Sequence, residues 1–146
     1  MTVATGHKLT PAQKKEFHAR MQFWRKELGL TGWRVELSRA KTSNISELLD
    51  WDDENMVAHY KLGNDWGETE PTEFNIIRKA AHEMLHLRMV RWAELCEEHG
   101  IEHPLAVGEE HVIIHTLELI LAEWAVLKGK TADATPKAEG DGPTGN

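Results

Sequence analysis

Little in this chain could staple it or anchor it. It has a single cysteine, Cys96, which excludes an internal disulfide framework and fits a reducing compartment, with a buried structural thiol as its expected role. Nowhere do about eighteen apolar residues run together, so no membrane span is predicted. The opening "MTVATGHKLTPAQKKEF" also lacks an apolar signal core. A soluble cytoplasmic protein with no membrane contact is the expectation. Positive charge is scarce as well: 17 Lys and Arg against 24 Asp and Glu give a net charge of −7. That deficit argues against a broad basic face for sequence-independent binding, so nucleic acid is not the expected partner.

What the chain does have is tryptophan and histidine. Six Trp in 146 residues, with 40% hydrophobic residues overall, supply much of the core of one globular domain. There are no internal repeats. Residues 1 to 8 and the Gly-, Pro-, Ala- and Thr-rich stretch from 129 to 146 show no hydrophobic period and are expected to be a loose N-terminus and a disordered tail, which leaves 9 to 128 as the domain.

Thr10 followed by Pro11 is a helix start, with Phe17, Met21, Trp24 and Leu28 at helical spacing and Gly29 as its close. In "TGWRVELSRA", Trp33, Val35 and Leu37 alternate with polar residues as a half-buried strand would. Residues 42 to 55 read as polar and turn-like, and "MVAHYKLG" as a second strand with Ala58, Tyr60 and Leu62 on one face. A helix is predicted from about 73 to 98, ending at Gly100. Another follows from about 107 to 128, with Ile113, Ile114, Leu117, Leu121 and Trp124 as its inward stripe. Helix, strands, two helices make an α+β fold with a small sheet of two or three strands.

The third segment contains "RKAAHEMLHLRMVRW". His82 and His86 are four residues apart, so at 3.6 residues per turn they lie about 40° apart on one helix face, and their imidazoles can converge. Two neutral imidazoles at that spacing suit Zn²⁺, whose nitrogen ligands sit at about 2.0 to 2.1 Å. Glu83, about 100° round from His82, can reach a water held by the metal and accept its proton as general base. In a chain with nine His and as many Glu as this one, HExxH arises by chance with a probability of roughly 0.07, so its surroundings must carry the reading. Ala80, Ala81, Met84, Leu85, Leu87 and Val90 wrap the helix in apolar residues, and two partly buried histidines there need partners. A metal would satisfy both.

A catalytic zinc site takes three protein ligands and leaves a fourth position for water. The last helix offers "GEEHVIIH", where Glu110 falls on the inward stripe and Glu109, one position round, competes with it. His111 and His115 form a second pair four apart, each either a ligand, an oxyanion stabiliser or an exposed residue. If a straight helix to Gly100 were followed by an antiparallel one, Leu117 would lie level with His86 and Glu110 would fall roughly 10 Å short. Glu110 then needs an early bend or a steep crossing. A di-iron carboxylate bundle is excluded, because Glu83 and His86 form one ExxH pair and no second pair has that spacing.

"WRVELS", "MVAHYKL", "AAHEMLH" and "EEHVIIHTLE", in that order, resemble the compact zinc metallopeptidases of the SprT-like and minimal gluzincin type, a kind frequent in phage genomes. The resemblance covers about residues 30 to 125, and HExxH is its most specific part. It implies a zincin-like fold in which His82, His86 and a downstream glutamate, Glu110 or Glu109, bind Zn²⁺. Glu83 would be the catalytic base, and a peptide or protein the substrate. It further implies a strand beside the cleft that pairs with extended substrate, for which "MVAHYKL" holds the matching position. Tyr60, His111 and His115 are the candidates for stabilising an oxyanion. The chain departs from DNA-linked SprT-like proteases in having no zinc-ribbon cysteines and no basic tail. The alternative is a zincin-fold protein that binds zinc without catalysis and serves as a docking module for a host or virion protein.

Overall fold

The computed structural model describes residues 6–39, 46–63, 66–100 and 103–133. These form α1 (Pro11–Glu27), β1 (Arg34–Leu37), β2 (Ser46–Asp52), β3 (Val57–Leu62), α2 (Glu73–Glu98) and α3 (His103–Asp133). The fold is α+β, three helices with a three-stranded mixed sheet.

α1 begins where its capping chemistry dictates. The Thr10 hydroxyl accepts from the Gln13 backbone N–H at 3.2 Å, the Gln13 side chain accepts from the Thr10 N–H at 2.9 Å, and Pro11 occupies the first turn. Phe17, Met21 and Trp24 then fall on one face and are completely buried. Gly29, at φ 69°, turns the chain out of the helix in the left-handed region. Phe17 meets Tyr60 of β3 at 6.1 Å between ring centroids and Trp66 edge-on at 6.4 Å, which fixes α1 across the sheet. The Trp24 indole N–H donates to the Ile77 carbonyl at 3.1 Å and ties α1 to α2.

The sheet order is β1-β3-β2, with β1 parallel and β2 antiparallel to β3. Two expectations change here. The segment read as turn-like contains β2, whose alternation is hidden by a register shift between Leu48 and Asp50: an extra residue breaks the period of two in "SELLDWD". β3, the segment "MVAHYKL", is the central strand, paired on both sides. It therefore has no free edge for an extended substrate, and the outer strands are β1 and β2. Ala58 and Tyr60 face the core.

α2 starts at Thr72, whose side chain accepts from the Asn75 N–H, and ends before Gly100 at φ 68°. Its 26 residues span about 39 Å. Ile76, Ile77, Ala80, Ala81, Met84, Leu87 and Val90 make it the centre of the core, with Cys96 also buried. α3 begins at His103, a turn earlier than expected, and continues past Gly129 to Asp133. The expected loose N-terminus is in part tied down, since His7 exchanges backbone hydrogen bonds with the 66–67 turn. Residues 1–5 and 134–146 lie outside the described residues.

α3 also presents a different face from the one expected. Ile113, Leu117 and Trp124 are about two-fifths exposed, whereas Glu110, Ile114, Glu118, Ala122 and Ala125 are buried against α2. Large aliphatic side chains also line the outer side of the helix, so hydrophobic period does not select its inner face. Burial of Glu110 and Ile114 and partial burial of Leu121 are the parts of the expected stripe that hold.

Candidate metal centre

α2 buries its apolar side chains on both flanks of the motif, which leaves the His82 and His86 rings aimed at α3 with side-chain exposures of 13% and 21%. α3 runs antiparallel beside them. Glu110 and His111 lie beside His86, and His115 and Glu118 beside His82.

The resulting cluster has a defined order. The two Nε2 atoms of His82 and His86 are 3.1 Å apart. Behind them, His82 Nδ1 meets Glu118 Oε2 at 2.5 Å and His86 Nδ1 meets Glu110 Oε1 at 2.9 Å. An ionised carboxylate only accepts, so each Nδ1 carries the proton and donates it. In neutral rings this leaves two Nε2 lone pairs facing each other, a repulsive contact that a shared proton or a metal ion relieves. Carboxylates behind metal-binding imidazoles act in this way, fixing the tautomer and raising the basicity of the coordinating nitrogen.

His111 closes the group, its ring 5.0 Å from that of His86 and 6.3 Å from that of His82. His82, His86 and His111 bring three ligand nitrogens within 4.8 Å of one another, and His82, His115 and Glu118 form a second such grouping. Groups of His and Glu that could hold a metal ion are therefore present among the described residues. Glu110, expected as the third ligand, lies on the far nitrogen of His86, and the nitrogen beside the His82–His86 pair comes from His111. Glu109 is exposed. His115, its ring 5.2 Å from His82, remains mostly exposed and donates toward Glu118 at 3.4 Å.

Electrostatics follow from this packing. Burial pushes His86 below the ordinary histidine value, against the upward pull of Glu110 and Glu83, so its ring is neutral at neutral pH. Burial alone would raise Glu118. Hydrogen bonds from His82 and His115 outweigh it, and the carboxyl titrates below its usual range. Arg78 Nε, 3.7 Å from Glu118 Oε1, adds a cationic neighbour.

Glu83 extends from α2 toward the sheet, near enough for its charge to act on His86. It is 3% exposed and accepts a hydrogen bond from the Ser46 hydroxyl of β2 at 2.7 Å. Tyr60 lies in the core. Its hydroxyl pairs with His18 Nδ1 on α1, and burial raises its pKa far above the ordinary value. That engagement sets it on the α1 side and not with the histidines of α2 and α3. Glu118, Ser46 and Arg78 were not singled out from the sequence. The row Glu110, Ile114, Glu118, Ala122 at four-residue spacing was the signal for Glu118.

Comparison of the chain with protein-family models, with curated proteins and with solved structures returned no match. The centre stands on its own geometry.

Proposed function

We propose that the protein is a zinc-dependent peptidase in which His82, His86 and His111 hold the ion. The observation that carries this reading is the His82–His86 pair, with Nε2 atoms 3.1 Å apart and a carboxylate on each Nδ1. The donor set is neutral imidazole nitrogen, which fits Zn²⁺. When bound, the ion supplies Lewis acidity that lowers the pKa of water toward neutrality and polarises a peptide carbonyl.

The remaining chemistry belongs to the chain. Glu83 accepts the proton of the attacking water and returns it to the departing amine nitrogen. The Ser46 hydroxyl, donating to Glu83 Oε1 at 2.7 Å, fixes the orientation of this carboxylate. Glu110 and Glu118 hold the two imidazoles in the coordinating tautomer. β2 reaches this base through Ser46 and is an outer strand, so an extended peptide pairing along it would lie beside Glu83.

A second reading, a zinc-binding domain without hydrolysis that docks another protein, is favoured by the near-complete burial of Glu83. Zinc analysis and peptide hydrolysis, each with and without chelator, separate the two. Under the peptidase reading, Glu83→Gln abolishes hydrolysis and keeps stoichiometric zinc, whereas His82→Ala and His86→Ala lose the metal. Zinc binding with no hydrolysis of unfolded protein substrates would support the docking module. Full activity in Glu83→Gln would overturn the mechanism.

A further inference from the structure

Among the described residues, the outward face of α3 carries a run of exposed apolar side chains that the metal centre leaves unused. Ile113, Leu117, Ile120, Trp124 and Leu127 recur at spacings of four, three, four and three, the seam of a two-stranded coiled coil. They are exposed by 39%, 38%, 58%, 41% and 62%. Val112 and Leu119, at 63% and 45%, widen the same side of the helix. Together these side chains leave roughly 600 Å² of apolar surface in water, at the upper end of what a monomer ordinarily exposes in one patch. The segments outside the described residues contain no comparable apolar run, and the tail "ATPKAEGDGPTGN" has no large apolar residue with which to cover it.

We infer that this face is a homodimer interface, formed by α3 packing antiparallel against α3 of a second copy. Area favours it. Two such faces together bury about 1,200 Å², the lower bound of a specific stable interface, before any flanking contact is counted. Shape and charge select the antiparallel direction. It sets Trp124 of one copy against the smaller Ile113 of the other and places Leu117 opposite Ile120 across the two-fold axis. A parallel pair would instead stack Trp124 on Trp124 and Glu123 beside Glu123. The antiparallel pair also opposes the two helix dipoles. The metal-binding side chains lie on the opposite side of the same helix, so dimer formation does not depend on what they bind.

The test is the mass of the full chain in solution, by sedimentation equilibrium from about 1 to 100 µM. The expected result is a dimer of the 16.6 kDa chain. Ile120→Glu and Leu117→Glu should each convert it to a monomer with unchanged far-ultraviolet circular dichroism, since neither side chain is in the core. Direction is read by oxidative cross-linking. Leu117→Cys, beside the two-fold axis, should form a disulfide-linked dimer, and Leu127→Cys, far from it, should not. A monomer across the whole range would assign the face to another partner and overturn the proposal. A dimer that survives Ile120→Glu, or one that cross-links equally through Leu127→Cys, would overturn it too.

Discussion

A histidine coordinates a cation only through a nitrogen without a proton, so whatever holds its other nitrogen governs how well it binds. Glu118 does this for His82 and Glu110 for His86. Glu118→Gln removes the charge behind His82 while nearly preserving shape, and zinc affinity should fall about 10- to 100-fold, read by competition with a chromophoric chelator. Glu110→Ala should behave in the same way, whereas His111→Ala should release the ion; the reverse pattern would make the carboxylate a direct ligand. This is where sequence reading ran short. The His82–His86 pair is legible from spacing alone, but an inward glutamate looks the same whether it meets the metal or the rear of an imidazole. Individual groups also set the pH response. His18 and His86 are held by burial below the ordinary histidine value, so the unfolded chain takes up protons that the folded one refuses. Stability is then lost as pH falls below about 6.5. Glu118 is depressed, so its contribution is present above the ordinary carboxylate range and disappears as pH falls through its folded value. All three have the same sign, and the Tm of the chelator-treated protein should drop steadily from about pH 7 to pH 4. A Tm that is flat or rises on acidification would contradict these assignments.

Elements announced themselves where their ends carry local chemistry and hid where they depend on partners. α1 is marked by Thr10, Pro11 and Gln13 at its start, and these contacts are local enough to read in advance. Thr10→Ala removes the acceptor for the Gln13 N–H, and the loss should be about 1 kcal/mol in a urea titration, with the m-value unchanged. A neutral result would mean that tertiary packing and not the cap holds the helix end. β2 was missed because the extra residue between Leu48 and Asp50 destroys alternation, and only its pairing with β3 reveals the strand. α3 was placed a turn late because Pro104 reads as a turn, although proline is equally at home in the first turn of a helix. Its inner face was misjudged because carboxylates line it and large aliphatic side chains cover the outside, the inverse of an ordinary amphipathic helix.

At the scale of the whole molecule the α+β layout was legible, because element order follows from local pattern. The strand order β1-β3-β2 was not, since parallel pairing of β1 with β3 is a contact between residues more than twenty positions apart. The same distinction bears on stability. α1, the sheet and α2 share one continuous core, to which α3 contributes chiefly Ala122 and Ala125, with Leu121 and Val126 packed against it. Along the rest of its length α3 meets α2 through Ile114 and a row of histidines and glutamates, and these polar contacts stabilise much less per residue than apolar burial when no cation joins them. An ion held by His82 and His86 of α2 and His111 of α3 would bridge this seam and bind only the folded chain. At a free zinc concentration about 100 times the dissociation constant, the gain is about 2.7 kcal/mol, a rise in Tm on the order of 10 °C for a domain of this size. Amide exchange should report where the gain falls, with slower exchange in α3 near His111 and His115 and little change in α1. Glu83→Gln should keep the full shift and His82→Ala should lose it. Equal protection of α1 and α3, or a Tm that zinc does not move, would show that the two helices are joined by packing alone.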